Sequence, residues 1–337
     1  MNNQMQQWSL ARRPQGNLTI DDFKEVSLDI PEPGEDEVLI RNTFISMEPV
    51  MREAFGDFDS FLPPLELGQT IPGGAVGIVE KKGSNVNMLQ IGDPVYSPAG
   101  WSTHSVFSEA TAMKIASNDF PNEYILSVLG YSGLTAYRAL TEYASLVAGE
   151  TVFVSGAAGS VGNLVGQFAR KLGAGYVIGS AGSPEKVRWL LEEAGFDAAF
   201  NYKDGDVKEL LKQAAPNGID VYVDNVGYDH LEAAIDCMNL NGRIAISGMI
   251  SGYESTTPLP GPSNLVEFVP KNLRMQGVGF PQDYAAATQK LIDAVAPWLN
   301  AGEIIVKQTI VEGFEKTPEA FIGLFSGKNI GKMLVKI

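Results

Sequence analysis

The segment Gly156-Ala-Ala-Gly-Ser-Val-Gly162 constrains the fold of this chain more than any other sequence feature. It follows a β-branched run over residues 151–155, typical of a buried parallel strand, and precedes a helical pattern over 164–172. Glycines at such a turn let the backbone approach a pyrophosphate, and the helix N-terminus supplies N–H donors. The segment, hereafter the loop, matches a dinucleotide fingerprint with alanine at its first glycine position. The alternative is a glycine-rich turn that only packs helix on strand.

The residues after the loop alternate between strand and helix patterns. We predict strands at 176–178, 220–224 and 243–247, with helices at 185–194 and 231–238. Strands that alternate with helices in this way form right-handed βαβ units in a doubly wound parallel sheet, the Rossmann arrangement. The central part of the chain is therefore predicted to be an α/β domain.

The sequence before this domain has a different character. Short β-like runs at 38–45, 73–79 and 91–96 are separated by Gly and Pro, which favours a partly open β-barrel. Near the C-terminus, strand patterns at 306–311 and 332–337 flank a helix at 318–324. The Thr- and Pro-rich stretch 255–262 is predicted to be a mobile loop. A chain of 337 residues is expected to form two domains.

Charge and residue counts exclude several classes of function. The net charge of −15 makes nucleic acid and membranes poor partners, and the sequence contains no apolar run long enough for a transmembrane helix. The single cysteine, Cys237, excludes a disulfide framework and fits a reducing, cytoplasmic location. With only His104 and His230 besides, we expect no metal site, because a catalytic zinc needs three or more Cys, His or acidic ligands. Both histidines are predicted to be polar surface or loop residues.

The choice between the two nicotinamide cofactors depends on the end of the second strand. An NAD site usually places an Asp or Glu there, about 20 residues after the loop, to accept from the ribose 2′-hydroxyl. The sequence at 176–183, Tyr-Val-Ile-Gly-Ser-Ala-Gly-Ser, contains no acid, and the next basic residue is Lys186. Small hydroxyl residues and a lysine suit a 2′-phosphate, so NADP is the predicted cofactor. A solvated surface lysine is the alternative for Lys186.

Several motifs then resemble one family along nearly the whole chain. They are Ala-Arg-Arg-Pro-Gln-Gly at 11–16, Ile-Ser-Met-Glu-Pro-Val-Met-Arg at 45–52, the loop, Asn-Gly-Ile-Asp-Val-Tyr-Val-Asp-Asn-Val-Gly at 217–227, and Gly-Leu-Phe-Ser-Gly-Lys-Asn-Ile-Gly-Lys at 323–332. They are similar to motifs of the zinc-independent medium-chain dehydrogenase/reductases, within the prostaglandin, alkenal and curcumin reductase group. The resemblance implies a GroES-like β-barrel substrate domain, 1–125 completed by 303–337, and a Rossmann NADP-binding domain at 126–302.

The same resemblance implies NADPH-dependent reduction of the C=C bond of α,β-unsaturated ketones or aldehydes by a homodimer. Tyr253 is the expected catalytic donor to the carbonyl oxygen of the substrate. The expected cofactor-binding residues are Ala157, Ala158, Gly159, Ser160, Val161, Gly162, Gly182, Ser183, Lys186, Tyr202, Asn225, Ser247, Gly248, Ile250, Tyr253, Val278, Gly279, Phe280 and Asn329. A quinone oxidoreductase of the same superfamily and a non-catalytic NADPH-binding sensor are the alternatives.

The expected substrate pocket departs from the family at two positions. Val50 stands where the family usually has tyrosine, and Tyr131 lies in Gly-Tyr-Ser-Gly where the family has Gly-Met-Pro-Gly. Trp101 is predicted to form a pocket wall. Tyr131 brings a hydroxyl toward the expected reaction centre, where it either shares the donor role or only changes the pocket.

Overall fold

The computed structural model describes residues 4–56, 62–115, 120–255 and 259–337, so residues 256–258 of the predicted mobile loop lie outside the described part. Its strands, in chain order, are β1 (Gln4–Leu10), β2 (Phe23–Asp29), β3 (Glu37–Ser46), β4 (Ala75–Lys82), β5 (Pro94–Ser97), β6 (His104–Ser108), β7 (Met113–Lys114), β8 (Thr151–Val154), β9 (Tyr176–Ala181), β10 (Ala198–Asn201), β11 (Ile219–Asp224), β12 (Met238–Ile246), β13 (Arg274–Gly277), β14 (Gln308–Glu312) and β15 (Lys332–Lys336). The α-helices are α1 (Tyr131–Arg138), α2 (Ser160–Lys171), α3 (Pro184–Glu192), α4 (Val207–Ala214), α5 (Asp229–Cys237), α6 (Phe268–Lys271), α7 (Tyr284–Asn300) and α8 (Thr317–Phe325).

The chain divides into two compact units, residues 1–126 with 308–337 and residues 127–307. The first boundary differs from the predicted one by one residue. The second lies at 307 rather than 302, and both backbone polar groups of Ile305 are hydrogen-bonded to the side chain of Gln167 on α2, in the second unit.

The first unit is built on a seven-stranded sheet of order β14-β15-β3-β4-β5-β7, with β6 also paired to β3, beside the antiparallel hairpin of β1 and β2. β6 pairs with the first half of β3 and β15 with its last three residues, so the C-terminal strand completes the sheet. The core between these elements is strongly aromatic, and α8 covers it with Phe321, which is fully buried.

Trp101 belongs to this core rather than to the surface. It is 1% exposed, and its ring lies 5.2 Å from that of Phe321 and 5.5 Å from that of Phe23. Packing in this core accounts for its burial, since a large apolar ring gains most when it is completely buried, and its role as a pocket wall stays a prediction.

The second unit is a six-stranded parallel sheet of order β10-β9-β8-β11-β12-β13. This is the dinucleotide-binding order, in which the chain starts in the middle of the sheet and reverses direction after the third strand. Sequence patterns predicted the strands β8, β9, β11 and β12 and the helices α2, α3 and α5. They missed β10 and β13, which are four residues each and at the two edges, and the helices α4, α6 and α7.

The two histidines occupy structured positions. His230 lies on α5 and is 4% exposed, so the prediction of a surface or loop residue is wrong for it. His104 lies on β6, where its Nδ1 is 3.1 Å from the hydroxyl of Thr103 and its Nε2 is 3.6 Å from Glu80. Among the described residues, no helix has both the length and the apolar character needed to cross a bilayer.

Candidate active site

The loop connects β8 to α2 at the carboxyl edge of the parallel sheet. Gly156 has φ +58°, a left-handed conformation that glycine adopts without strain. The N–H of Gly159 donates to the Gly156 carbonyl at 2.9 Å, and α2 begins at the next residue. A Cβ on Gly162 would lie 2.4 Å from the carbonyl oxygen of Gly156, so this position requires glycine. The first turn of α2 therefore reaches the loop without a side chain in the way, and its N–H groups have no intrahelical acceptor.

A basic cluster lies at the ends of β9 and β10. Ser183 caps α3 by accepting from the N–H of Lys186 at 3.3 Å, and Gly182 leaves room for the Tyr202 ring, which a Cβ there would approach to 3.0 Å. Burial, with a smaller contribution from the charge of Lys203, lowers the pKa of Lys186. Lys203 also lies over the Tyr202 ring, 5.7 Å from its centroid. Two lysines this close on so acidic a chain form a local site for a dianion.

A buried carboxylate fixes the turn after β11. Asp224 is fully buried, and its Oδ1 accepts from the Tyr222 hydroxyl at 2.6 Å, the Ser155 hydroxyl at 3.1 Å and the N–H groups of Val226 and Gly227 at 2.9 and 2.8 Å. Desolvation and the adjacent carboxylate raise the pKa of Tyr222 well above its usual value, so this phenol stays neutral. The network holds the turn in one conformation.

Asn225 lies in that turn and is oriented by two contacts of its side-chain amide. Its Nδ2 donates to the Ser155 carbonyl at 2.8 Å, while its Oδ1 accepts from the Ser247 hydroxyl at 2.5 Å. The end of β8, the turn after β11 and the residue after β12 are thus joined through one side chain. This places the expected cofactor residues Asn225 and Ser247 together.

The segment after β12 folds onto the same turn. The N–H groups of Ser247 and Gly248 donate to the Asp224 carbonyl at 2.8 and 3.1 Å, and the N–H of Ile250 donates to the Asn225 carbonyl at 3.1 Å. A 3₁₀ turn then leads to Tyr253, whose hydroxyl oxygen accepts from the Met249 N–H at 3.5 Å. Tyr253 therefore lies beside Gly248, at the carboxyl edge of the sheet.

The residues after β13 complete this edge. Val278 continues the strand by donating to the Ile246 carbonyl at 2.8 Å, and Phe280 is 61% exposed. The Phe280 ring stacks on that of Tyr131, with centroids 5.1 Å apart. Both residues were expected near the reaction centre, and the structure brings them into contact.

Three of the expected residues belong to the first unit. Val50 is half-buried in a 3₁₀ turn, and Trp101 lies in the core described above. Asn329 is buried beside the start of β15, and its amide nitrogen donates to the Gly331 carbonyl at 2.7 Å. Their relation to the edge of the parallel sheet stays a prediction.

Sequence reasoning missed Lys203 and the Asp224 network. A surface lysine next to Tyr202 has no distinguishing sequence signal. The acid at the end of the apolar run Ile-Asp-Val-Tyr-Val-Asp was a usable signal, because a buried carboxylate must be hydrogen-bonded. The described residues contain no group of three or more His, Cys, Asp or Glu arranged to hold a metal ion.

The donors and spaces at this edge fit a phosphorylated dinucleotide. The glycine-lined loop and the N-terminus of α2 suit a pyrophosphate, and Lys186 with Lys203 suits a further phosphate on one side of it. Asn225 and Ser247 offer amide and hydroxyl groups on the other side.

Comparison with known proteins gives matches over almost the whole chain. Residues 6–115 match a family described as the N-terminal domain of oxidoreductase, and residues 160–296 match one described as zinc-binding dehydrogenase. A 2-alkenal reductase (NADP⁺-dependent) of Nicotiana tabacum is 41% identical, covering 93% of this chain and 90% of its own. The NADPH-dependent curcumin reductase of Escherichia coli is 34% identical, covering 98% and 96%. The crystal structure of CurA from Vibrio vulnificus in complex with NADPH has a TM-score of 0.92 at 33% identity, covering 98% of each chain.

Proposed function

This chain belongs to the medium-chain dehydrogenase/reductase family, and on that premise we propose that it is a zinc-independent, NADPH-dependent reductase of α,β-unsaturated ketones or aldehydes. The observation that carries the proposal is the carboxyl edge of the parallel sheet. At this edge, Lys186 and Lys203 lie on one side of the loop, and Asn225, Ser247 and Tyr253 lie on the other. The relatives are named for NADP-dependent reduction of alkenals and NADPH-dependent reduction of curcumin.

NADPH is the cofactor, bound along this edge. Lys186 and Lys203 would hold the 2′-phosphate, with the Tyr202 ring beside them, so that positive charge replaces the acid of an NAD site. Lys186 is already partly desolvated with a lowered pKa, so a bound dianion favours its charged form. NADPH is therefore expected to bind more tightly than NADH, and equal affinities would contradict this role for the lysine pair.

The reaction needs a donor for the charge that forms on the substrate. When bound, the reduced nicotinamide supplies hydride to the β-carbon of the unsaturated carbonyl compound. Tyr253 would donate a hydrogen bond to the carbonyl oxygen, where enolate charge develops, while the phenol itself stays neutral. The α-carbon of the enolate then takes a proton from water or a nearby hydroxyl, which completes the reduction of the C=C bond. Asn225, fixed by Ser155 and Ser247, orients the nicotinamide half.

Substrate selection falls to residues that differ from the family pattern. We assign Val50 and Tyr131 to the substrate pocket, with Phe280 packed on Tyr131. A valine in place of a tyrosine enlarges the pocket, while Tyr131 adds a hydroxyl. Asn329 is assigned to the cofactor from the segment before β15.

The function is tested with purified protein, NADPH and two substrate sets, small enones or alkenals and small quinones. Loss of absorbance of the reduced cofactor measures turnover. Turnover of enones but not quinones is the expected result. Quinone turnover alone would indicate a quinone oxidoreductase, and tight NADPH binding with no turnover of either set would indicate a non-catalytic sensor.

We also propose a cytoplasmic homodimer that associates through β13. Among the described strands, β13 pairs with β12 alone, and all four of its residues are exposed. The neighbouring Val266 and Val269 are 71% and 83% exposed. Light scattering should give twice the chain mass, and Met275→Pro, which removes a backbone donor from the edge, should give a monomer.

A further inference from the structure

Two side chains outside the proposed reaction centre hold the backbone of the segment after β13. Arg138 Nη1 donates to the Gly279 carbonyl oxygen at 2.6 Å, and the Gly279 N–H donates to the Tyr143 hydroxyl oxygen at 3.2 Å. Both backbone polar groups of one exposed glycine are thus bound by residues more than 130 positions away in the sequence. Because Gly279 is exposed, water could hydrogen-bond to these two groups equally well. The contacts therefore fix the position of this backbone segment and are not needed to satisfy buried polar groups.

Arg138 and Tyr143 also hold each other. Arg138 Nη2 donates to the Tyr143 hydroxyl at 3.1 Å, and its guanidinium carbon lies 5.3 Å from the centre of the tyrosine ring. Its Nε donates to Glu142 at 2.8 Å, which leaves the arginine side chain 11% exposed. The pair, hereafter the Arg138–Tyr143 clamp, is therefore held in place by protein contacts, which restrict the rotamers of both side chains.

A π-turn over Ala139–Tyr143 at the end of α1 makes the clamp possible. Its i→i+5 pattern includes the hydrogen bond from the Ala144 N–H to the Ala139 carbonyl at 2.9 Å. In a continuous α-helix, residues five apart are separated by roughly 140° around the axis. The wider π-turn brings positions 138 and 143 closer to one face, and such turns are frequent at functional sites.

The clamp acts on one end of the carboxyl edge. The basic cluster follows β9 and β10, the loop follows β8, and Gly279 follows β13, which is the last strand on the opposite side. A dinucleotide whose extra phosphate lies on the cluster must extend its other half toward the ends of β11, β12 and β13. α1 also touches the loop itself, through a hydrogen bond of 2.7 Å between the hydroxyls of Ser132 and Ser160.

We propose that Arg138 and Tyr143 are positioning residues for the nicotinamide half of the cofactor. By holding the Gly279 backbone, they fix the position of Val278–Phe280, and the stacking of Tyr131 on Phe280 holds the segment from the other end of α1. This inference rests on the proposed function, since it assumes a nicotinamide dinucleotide at this edge. Neither side chain touches the reacting atoms.

The test compares binding of NADPH with binding of 2′,5′-ADP, which lacks the nicotinamide half. Titration calorimetry with Arg138→Gln should show NADPH weakened about tenfold, the usual effect of losing a charged hydrogen bond, and 2′,5′-ADP changed by less than about twofold. Tyr143→Phe should weaken NADPH by a smaller factor, and Arg138→Lys should restore part of the loss, because lysine can still donate to the Gly279 carbonyl. Thermal unfolding checks that each variant folds.

Arg170→Gln is the matched control. Arg170 lies on α2 in the same unit, its Nε donates to the Gly195 carbonyl at 3.2 Å, and it forms an ion pair with Asp197. Its loss should leave the ratio of the two affinities unchanged. A general loss of stability would weaken the binding of NADPH and of 2′,5′-ADP by the same factor. If the two affinities fall in parallel in the clamp variants, or do not change at all, their ratio stays the same and the proposal is overturned.

The binding test is independent of turnover. If the wild-type protein reduces no enone, the proposed function fails while the ratio of affinities still measures the clamp. If enones are reduced and the ratio of NADPH to 2′,5′-ADP affinity is unchanged in the Arg138 and Tyr143 variants, the proposed role of the clamp is wrong and the proposed function stands.

Discussion

At the residue scale, the Tyr253 hydroxyl is distinguished by what already contacts it. The Met249 N–H can only donate, so the tyrosine oxygen acts as the acceptor in that contact. The segment that leads to Tyr253 is hydrogen-bonded to the turn held by the buried Asp224, because the N–H groups of Ser247 and Ile250 donate to the carbonyl oxygens of that turn. A donor held in this way needs little reorganisation when charge develops on a substrate.

We expect Tyr253→Phe to lower kcat for an enone by about a hundredfold, the usual cost of one lost donor to a developing oxyanion. NADPH affinity, measured separately by titration, should be unchanged. Tyr176→Phe, on β9, is the control and should leave kcat as it is. An unchanged rate in the Tyr253 variant would transfer the donor role to Tyr131, which Tyr131→Phe would then reveal.

The buried His230 predicts a pH dependence of stability. Burial lowers its pKa from 6.5 to about 4, so between these values the unfolded chain binds a proton that the folded chain does not. Stability contributed by the neutral imidazole is therefore lost as pH falls through this window, by about 2 kcal/mol between pH 7 and pH 5. Urea unfolding at both pH values measures it.

The matched variant is His230→Phe, which keeps an aromatic ring against Tyr202 and removes the proton. Most of the loss between pH 7 and 5 should disappear, and the remainder belongs to His104, whose pKa burial also lowers. The carboxyl groups with lowered pKa values are Asp22, Asp93, Glu109 and Asp236, and the stability that they contribute is lost mainly below about pH 5. An equal pH slope in wild type and variant would refute the assignment.

At the element scale, the β8–α2 junction depends on glycine for steric reasons. Gly162→Ala places a Cβ 2.4 Å from the Gly156 carbonyl oxygen and 2.8 Å from the Ala157 Cα, both of them backbone atoms of the loop. The helix must then move away from the loop. We expect at least tenfold weaker binding of both NADPH and 2′,5′-ADP, because the N–H donors at the helix N-terminus shift.

Gly261→Ala is the control for this change, since a Cβ at Gly261 meets no atom within 4 Å. It should leave both affinities and the unfolding temperature unaltered. Wild-type affinity in Gly162→Ala would show that the phosphates do not lie on this junction. The two glycine variants thus separate the loop geometry from a general effect of glycine replacement.

At the scale of the whole molecule, the first unit is discontinuous in sequence. β15 lies between β14 and β3, and Met333, Leu334 and Val335 are buried in it. The buried Lys332 adds an ion pair of 2.7 Å with Glu48. Removing the C-terminal segment would therefore expose the centre of a sheet and leave a partly buried carboxylate without its cation.

A chain that ends at Lys307 should consequently lose the first unit and keep the second, which is continuous over 127–307. Calorimetry should show only the larger of the two unfolding enthalpies, because the second unit has more residues than the first, and titration should show retained 2′,5′-ADP binding. Loss of binding with loss of all cooperative unfolding would mean that the second unit cannot fold alone.

The sequence by itself determined the identity of the central domain. The loop, the missing acid before Lys186 and the alternation of strands and helices are local patterns, set by backbone sterics and periodicity, and each predicted its element without knowledge of the rest. The long motifs that resemble one family added the prediction of the reaction type, the reduction of a C=C bond. Short edge strands such as β10 and β13 escaped prediction because four residues carry too little periodic signal.

Only the tertiary structure decided which side chains meet. Trp101 belongs to a core and His230 is buried, because burial depends on what packs against a residue rather than on its type. The contacts of Arg138 and Tyr143 with Gly279 join positions far apart in sequence. No local pattern encodes such contacts, since they exist only once the sheet order has brought α1 and the end of β13 together.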